Sequence, residues 1–94
     1  MRSYELTIIF KPTLEAKELD KQVANIKAIV EKAGGKITSK TDAVKKALAY
    51  EIEHNKEGYY AFFAIDMDPS AVAEVDTSIK LEDAMLRYLL IHKD

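Results

Sequence analysis

A chain of 94 residues is long enough for one domain and too short for two. Hydrophobic residues at 48% and charged residues at 32% exclude a disordered chain, and the lack of cysteine excludes disulfide bonds and thiolate metal sites. A formal net charge of −2 argues against a non-specific coat for nucleic acid. No apolar run suits a secretory signal or a membrane span, so we expect one domain over residues 1–94, a cytoplasmic location and no membrane partner.

The first predicted strand covers residues 4–10, where apolar and polar side chains largely alternate until Pro12 ends the pattern. A helix follows, with Thr13 as its predicted N-cap and acids in its first turn, where the helix dipole favours negative charge. Its apolar residues recur at spacings of three and four and form one stripe: Leu19, Val23, Ile26, Val30 and Ala33. The pair Gly34-Gly35 is typical of the left-handed cap that ends a helix.

The second half of the chain predicts a hairpin, a helix and a last strand. We interpret residues 36–53 and 59–67 as two strands joined by the turn signal Asn55-Lys56-Glu57-Gly58. Asp68-Pro69 predicts an N-cap followed by proline at the first helical position, ahead of a short helix with an apolar face. Residues 85–92 are apolar enough to be the final strand.

The order of these elements is β-α-β-β-α-β, which predicts an α+β protein with the ferredoxin-like fold. This fold is a four-stranded antiparallel sheet with two helices on one face, because right-handed connections bring both helices to the same side. The other face stays uncovered, and we call it the open face. We expect the function to lie there.

Strand alternation assigns side chains to the two faces. Leu6, Ile8 and Phe10 are expected to face the helices, because the opposite set includes Glu5 and Thr7. The same rule must hold along the two strands of the predicted hairpin.

In that hairpin, a turn near residue 55 or 56 would set Tyr50 across from Tyr60 and Leu48 across from Phe62. The alternative parity of the second strand ends in the better core residues Phe63, Ile65 and Met67, so we expect that set to be buried. Five side chains then share the open face: Lys46, Leu48, Tyr50, Tyr60 and Phe62. Exposed aromatic rings usually mark an interface, although a parity shifted by one residue would make these rings core instead.

Charge is unevenly distributed along the chain. Residues 36–46 hold four lysines and one acid, whereas residues 68–83 hold five acids and one lysine. A polyanion is therefore expected to bind residues 36–46.

Four short motifs occur in order: Arg2-x-Tyr4-Glu5, Lys45-Lys46-Ala47-Leu48-Ala49-Tyr50-x-Ile52, Gly58-Tyr59-Tyr60 and Asp83-Ala84-x-x-Arg87. On these motifs essentially the whole chain resembles the bacterial small-subunit ribosomal protein six family, with lysines where the family usually has arginine in its basic pair. The resemblance implies a structural constituent of the small ribosomal subunit. It implies binding to the central domain of the small-subunit rRNA together with small-subunit ribosomal protein eighteen.

The resemblance also implies contact residues at the positions that match its motifs: Arg2, Lys45, Lys46, Tyr50, Tyr60 and Arg87. We expect Arg87 on the open face, because an unpaired charge is costly to bury in a small core. Which of these residues touch RNA and which touch the protein partner stays open.

Proteins with the ferredoxin-like fold have many other functions, and the sequence argues against most of them. The loop Lys11-Pro12-Thr13 lacks the glycine and arginine of an acylphosphatase loop, and a metallochaperone would need paired cysteines. His54 and His92 show no sign of pairing, so we expect no catalytic residue, metal, cofactor or small-molecule substrate. The aromatic signature of an RNA-recognition motif matches poorly, because Glu57 stands between the basic residue and Gly58, and Tyr59 and Tyr60 are adjacent instead of separated by a small residue. The alternative left open is a free-standing RNA-binding or regulatory module that dimerises through its open sheet face.

Overall fold

The computed structural model describes residues 1–93, which form five strands and two α-helices. The strands are β1 (Arg2–Phe10), β2 (Lys36–Lys40), β3 (Val44–Ile52), β4 (Asn55–Met67) and β5 (Met85–Lys93). The helices are α1 (Ala16–Lys32) and α2 (Val72–Lys80), and a turn of 3₁₀-helix at Pro69–Ala71 precedes α2. Asp94, which the predicted domain includes, lies outside the described residues.

The strands form one antiparallel sheet in the order β2-β4-β1-β5, and β3 pairs with the edge of β4 that also pairs with β2. The predicted first hairpin strand is therefore split into two consecutive pieces, β2 and β3. At the break, the backbone N–H of Thr41 donates to the Phe62 carbonyl at 2.9 Å, and the Thr41 hydroxyl accepts the Phe62 N–H at 3.1 Å. These bonds keep the interrupted strand on one line, so the sheet keeps the four-strand layout of the predicted ferredoxin-like fold.

The hydrophobic core lies between the sheet and the two helices. Leu6, Ile8 and Phe10 are at most 1% exposed, which confirms the face predicted for β1. The predicted core set of β4 is also buried, and the helices cover it with these residues: Leu19, Ile26, Val30, Val75 and Ile79. No polar side chain is buried among the described residues, so apolar packing alone fills this layer.

The first helix ends as predicted but begins two residues later than the Thr13 cap implied. A turn in which the Leu14 N–H donates to the Lys11 carbonyl at 3.4 Å encloses Thr13. Glu15 is the N-cap instead, and its backbone N–H donates to the Glu18 carboxylate at 3.2 Å. At the other end, Gly34 has φ +86°, the left-handed conformation that glycine adopts at low cost.

The turn between β3 and β4 lies at Glu53 and His54, not at the predicted Asn55-Lys56-Glu57-Gly58. Both residues have positive φ, 46° and 67°, as a two-residue type I′ turn requires. The Asn55 amide supports the turn by donating to the Ile52 and Glu53 carbonyls, at 3.3 and 3.0 Å. Asn55 to Gly58 consequently form the start of β4.

The predicted register of this hairpin is also wrong. Val44 lies opposite Tyr60, so neither Tyr50 with Tyr60 nor Leu48 with Phe62 forms a pair. Between the pairs Ala47–Glu57 and Ile52–Asn55, β3 contributes four residues and β4 contributes one. Surplus residues of this kind bend the strand, and they are not paired in the regular hydrogen-bonded ladder. We call residues 48–51 the bulged segment.

Candidate interaction surface

The pairing registers arrange the side chains of the open face in rows that cross the sheet. The row members on β1 and β4 point away from the helices, because they alternate with buried residues. The members on β3 and β5 lie directly opposite them and therefore share that face. From the hairpin end to the far end, the rows are Val44-Tyr60-Ile9-Arg87, Phe62-Thr7-Leu89, Ala64-Glu5-Ile91 and Asp66-Ser3-Lys93.

The first three rows expose large apolar side chains to solvent. Val44, Phe62, Leu89 and Ile91 are between 42% and 56% exposed. Scattered apolar residues are normal on a protein surface, but several on adjacent strands of one sheet face make a contiguous patch. The last row is polar, and Lys93 Nζ lies 3.1 Å from the Glu5 carboxylate one row away. The open face is therefore apolar towards the hairpin and polar at the other end.

The predicted aromatic pair lies within this patch. Tyr60 and Phe62 have ring centroids 6.5 Å apart with planes inclined by 29°, a stacked arrangement. Lys46 Nζ lies 6.0 Å from the centroid of the Tyr60 ring, on the same face. The structure thus brings Lys46, Tyr60 and Phe62 together, although it does so through a register different from the predicted one.

The two adjacent lysines point to opposite faces of the sheet. Lys45 lies opposite Tyr59, whose side chain packs against the core on the helix side. Its ammonium lies 5.5 Å from the Tyr59 ring centroid and 3.6 Å from a Glu57 carboxylate oxygen. Of the basic pair, only Lys46 belongs to the open face.

Arg87 and Tyr50 meet at the hairpin end of the open face. The Arg87 guanidinium carbon lies 5.7 Å from the centroid of the Tyr50 ring, within the range of a cation–π contact. Tyr50 is 61% exposed, and Leu48, in the same bulged segment, is half-buried. The structure therefore groups Arg87 with Tyr50 rather than leaving its guanidinium alone.

Arg2 lies apart from the other predicted contact residues. It begins β1 and pairs with Met67, whereas Arg87 lies opposite Ile9 near the other end of that strand. Ile9 is seven positions after Arg2 on the strand, which corresponds to about 23 Å at roughly 3.3 Å per residue. Arg2 thus belongs to the far, polar end of the sheet.

Several open-face residues were not predicted from the sequence. Ile9 and Val44 complete the first row, and Leu89 and Ile91 supply the apolar surface of β5. Strand alternation could have found Ile9, since it lies between the buried Ile8 and Phe10. Alternation along β5 could also have found Leu89 and Ile91, because they lie two and four residues after Arg87, which is expected on the open face.

On the helix side, a polar contact joins β5 to α2. The Tyr88 hydroxyl donates to Asp76 Oδ1 at 2.5 Å, and Lys80 Nζ lies 3.1 Å from Asp76 Oδ2. The hydrogen bond from Tyr88, aided by Lys80, lowers the pKa of Asp76 below its ordinary 3.8. Burial, followed by the hydrogen bond to Asp76, raises the pKa of Tyr88 to about 12. This contact has a structural role, because it lies on the face away from the patch.

The described residues contain no group of three or more His, Cys, Asp or Glu side chains that could hold a metal ion. Neither α1 nor α2, the helices in the described part of the chain, is long and apolar enough to cross a membrane.

Topology and surface together define a ferredoxin-like α+β protein with one uncovered, partly apolar sheet face. A family model described as Ribosomal protein S6 matches residues 3–92, and the chain belongs to the ribosomal protein S6 family of the small subunit. The resemblance drawn from the four motifs is thereby confirmed.

The chain aligns with individual members of the family over nearly their full length. The chain is 34% identical over 93 residues to small ribosomal subunit protein bS6 of Desulforamulus reducens, covering 99% of this chain and 98% of that protein. It is 35% identical over 94 residues to the protein of the same name from Thermoanaerobacter pseudethanolicus, covering 100% and 99%. The crystal structure of 30S ribosomal protein S6 from Thermotoga maritima matches with a TM-score of 0.93 at 25% identity, covering 98% of this chain and 87% of that one.

Proposed function

We propose that the chain is a non-enzymatic structural constituent of the cytoplasmic small ribosomal subunit. In this proposal it binds the central domain of the small-subunit rRNA together with small-subunit ribosomal protein eighteen, and the open face is the contact surface. The single observation that carries the proposal is the exposed apolar patch with cations at its hairpin end. Val44, Phe62 and Leu89 form its centre, and Lys46 and Arg87 lie beside it.

The two chemistries of this surface suit two kinds of partner. Exposed apolar side chains gain free energy when another protein removes them from water. A lysine such as Lys46 neutralises a phosphate and releases counterions, which makes RNA affinity depend on salt. A surface that meets a protein at its apolar centre and RNA at its cationic end accounts for both. The names of the relatives, all small ribosomal subunit proteins, support the same function.

The test is assembly of the purified chain with protein eighteen and a central-domain rRNA fragment, followed by calorimetry or filter binding. Leu89→Asp places a charge in the centre of the patch and should abolish or strongly weaken binding. Leu81→Asp is the matched control, because Leu81 is 75% exposed but follows α2, outside the open face. Since both leucines are exposed, both variants should stay folded.

Equal binding by the Leu89→Asp variant and the wild type would contradict the proposal. A second contradictory result would be a stable homodimer that does not bind the rRNA fragment and that Leu89→Asp dissociates. That outcome would favour the alternative of a module that dimerises through its open face. Co-purification of the protein with small subunits from cells would support the ribosomal function directly.

A further inference from the structure

The bulged segment carries Tyr50 out of the regular β3–β4 ladder. Four residues of β3 stand against one residue of β4, so the hydrogen-bonded register that fixes Val44 to Ala47 does not extend to Tyr50. An exposed ring on such a segment needs another contact to hold one orientation. The only ring contact described for Tyr50 among residues 1–93 is the one with Arg87.

Tyr50 and Arg87 lie on strands at opposite edges of the sheet. Tyr50 belongs to β3, which pairs with β4, whereas Arg87 belongs to β5, which pairs with β1 on the other edge. A contact between them requires the hairpin to curl past the end of β1. Because β1 ends at Phe10, opposite Tyr59, the first residues of β4 extend beyond it and are free to do so.

Gly58 shows how closely the base of the hairpin lies against β1. A Cβ atom at this position would be 2.6 Å from Ile9 Cγ2 and 3.0 Å from the Phe10 carbonyl oxygen. It would also be 3.7 Å from Leu86 Cδ1, one residue before Arg87. The missing side chain therefore lets β4 approach β1 and β5 at the point where the hairpin turns towards Arg87.

We propose that Arg87 is a positioning residue: its guanidinium, in cation–π contact with Tyr50, holds the bulged segment over the hairpin end of the open face. The shape of that end is then fixed before a partner arrives. This differs from the direct contact with RNA or the protein partner that the family resemblance implies for Arg87. The effect on partner binding rests on the proposed function, whereas the contact between Arg87 and the hairpin does not.

Arginine suits this role better than lysine. The planar guanidinium stacks on an aromatic face and is weakly hydrated, whereas an ammonium is a compact and strongly hydrated charge. A segment already held in its bound conformation loses less conformational entropy on binding, so disorder in that segment should weaken affinity even where every contact to the partner is kept. An exposed cation–π contact corresponds to about a two- to fivefold change in an equilibrium.

The first test measures the hairpin in the free protein. Backbone ¹⁵N order parameters of residues 48–51 should fall from about 0.85, the value of a rigid backbone, towards about 0.6, that of a flexible one, in Arg87→Gln and in Tyr50→Leu. Arg2→Gln removes an exposed arginine at the other end of the sheet and should leave them unchanged. Unchanged order parameters in Arg87→Gln would overturn the proposal.

The second test separates positioning from direct contact. With the rRNA fragment and protein eighteen, Arg87→Gln should weaken binding about two- to fivefold in the wild-type background and have no further effect in the Tyr50→Leu background. A further decrease of affinity in that background, shrinking as salt rises, would overturn positioning and favour a phosphate contact. If the wild type binds neither partner, the proposed function fails, while the order parameters still decide whether Arg87 holds the hairpin.

Discussion

The two faces of the sheet are formed by the same strands, yet one face buries its apolar side chains under the helices and the other exposes them to solvent. On β1, Leu6, Ile8 and Phe10 are almost fully buried under the helices, whereas the intervening Thr7 and Ile9 lie half-buried on the open face. On β5, the open face leaves Leu89 and Ile91 about half exposed. Residues for stability and residues for binding are thus neighbours in the chain, separated only by the direction of alternate side chains. The comparison predicts that mutations one residue apart affect different properties.

The largest expected effect is on the covered face. Ile8→Ala removes a fully buried side chain and should lower the free energy of unfolding by about 2–5 kcal/mol, the usual cost of a core cavity. Leu89→Ala, on the open face, should change it by no more than about 0.5 kcal/mol. Urea denaturation of both variants checks the difference. Similar decreases in the two would mean that the faces do not differ in their contribution to stability.

The next effect is on binding. Replacing Tyr60 and Phe62 together by serine removes the stacked pair from the patch. Aromatic anchors at interfaces commonly contribute about 2 kcal/mol or more, so affinity for protein eighteen and rRNA should fall at least about 30-fold. The decrease in stability should be smaller than for Ile8→Ala, because Phe62 is 42% exposed. A double variant that unfolds as readily as Ile8→Ala would place these rings in the core.

A smaller effect should separate Lys46 from Lys45. Lys46→Ala should reduce the slope of log affinity against log salt by about 0.7–0.9, the change expected when the protein neutralises one phosphate fewer. Lys45→Ala is the control with the same change of charge, since Lys45 lies beside Glu57 and Tyr59 on the other face. Its salt slope should equal that of the wild type. Equal salt slopes for the two variants would show that RNA does not bind the open face in preference to the helix face.

The smallest effect concerns the contact between Tyr88 and Asp76. The pKa of Asp76 is lowered in the folded state, so its stabilisation is present above the ordinary value of 3.8 and disappears as pH falls through the folded pKa. The pKa of Tyr88 is raised to about 12 from 10.0, so its stabilisation disappears as pH rises between those values. Tyr88→Phe should therefore be less stable than the wild type at pH 7 and approach it at both extremes.

Urea denaturation of Tyr88→Phe at pH 7, at acid pH and above pH 10 measures this dependence. Tyr50→Phe, which loses a hydroxyl from an exposed ring, should show no such pH profile. A difference from the wild type that stays constant across pH would mean that Tyr88 acts through packing and not through Asp76.

The fold could be predicted because its elements carry simple patterns. The stripe containing Ile26 and Val30 defined α1, and the alternation of Leu6, Ile8 and Phe10 defined the buried face of β1. The β3–β4 turn could not be placed, because Glu53 is an unusual residue for positive φ while Asn55 and Gly58 are common turn residues. Gly58 instead allows a close approach of strands, which depends on Ile9 and is invisible in the local sequence.

The open face could be predicted only in part. Tyr60 and Phe62 followed from the parity of β4, and the same rule placed Lys46, but not Lys45, on the open face. Leu89 had a weaker signal, because apolar residues occur on both sides of β5 and only the expected position of Arg87 tells which side is open. The contact of Arg87 with Tyr50 depends on the bulge in β3, which no pattern of residue types reveals.

The surplus residues of β3 also bear on how this chain tolerates changes in length. Insertion or deletion of one residue within β4 would reverse the faces of every side chain beyond it, including Tyr60 and Phe63. The bulged segment already lies outside the ladder, so a gap or an extra residue there leaves Val44 and Lys46 on the open face. We expect an engineered insertion or deletion of one residue at residues 48–51 to preserve the fold, and the same change between Gly58 and Met67 to destroy it.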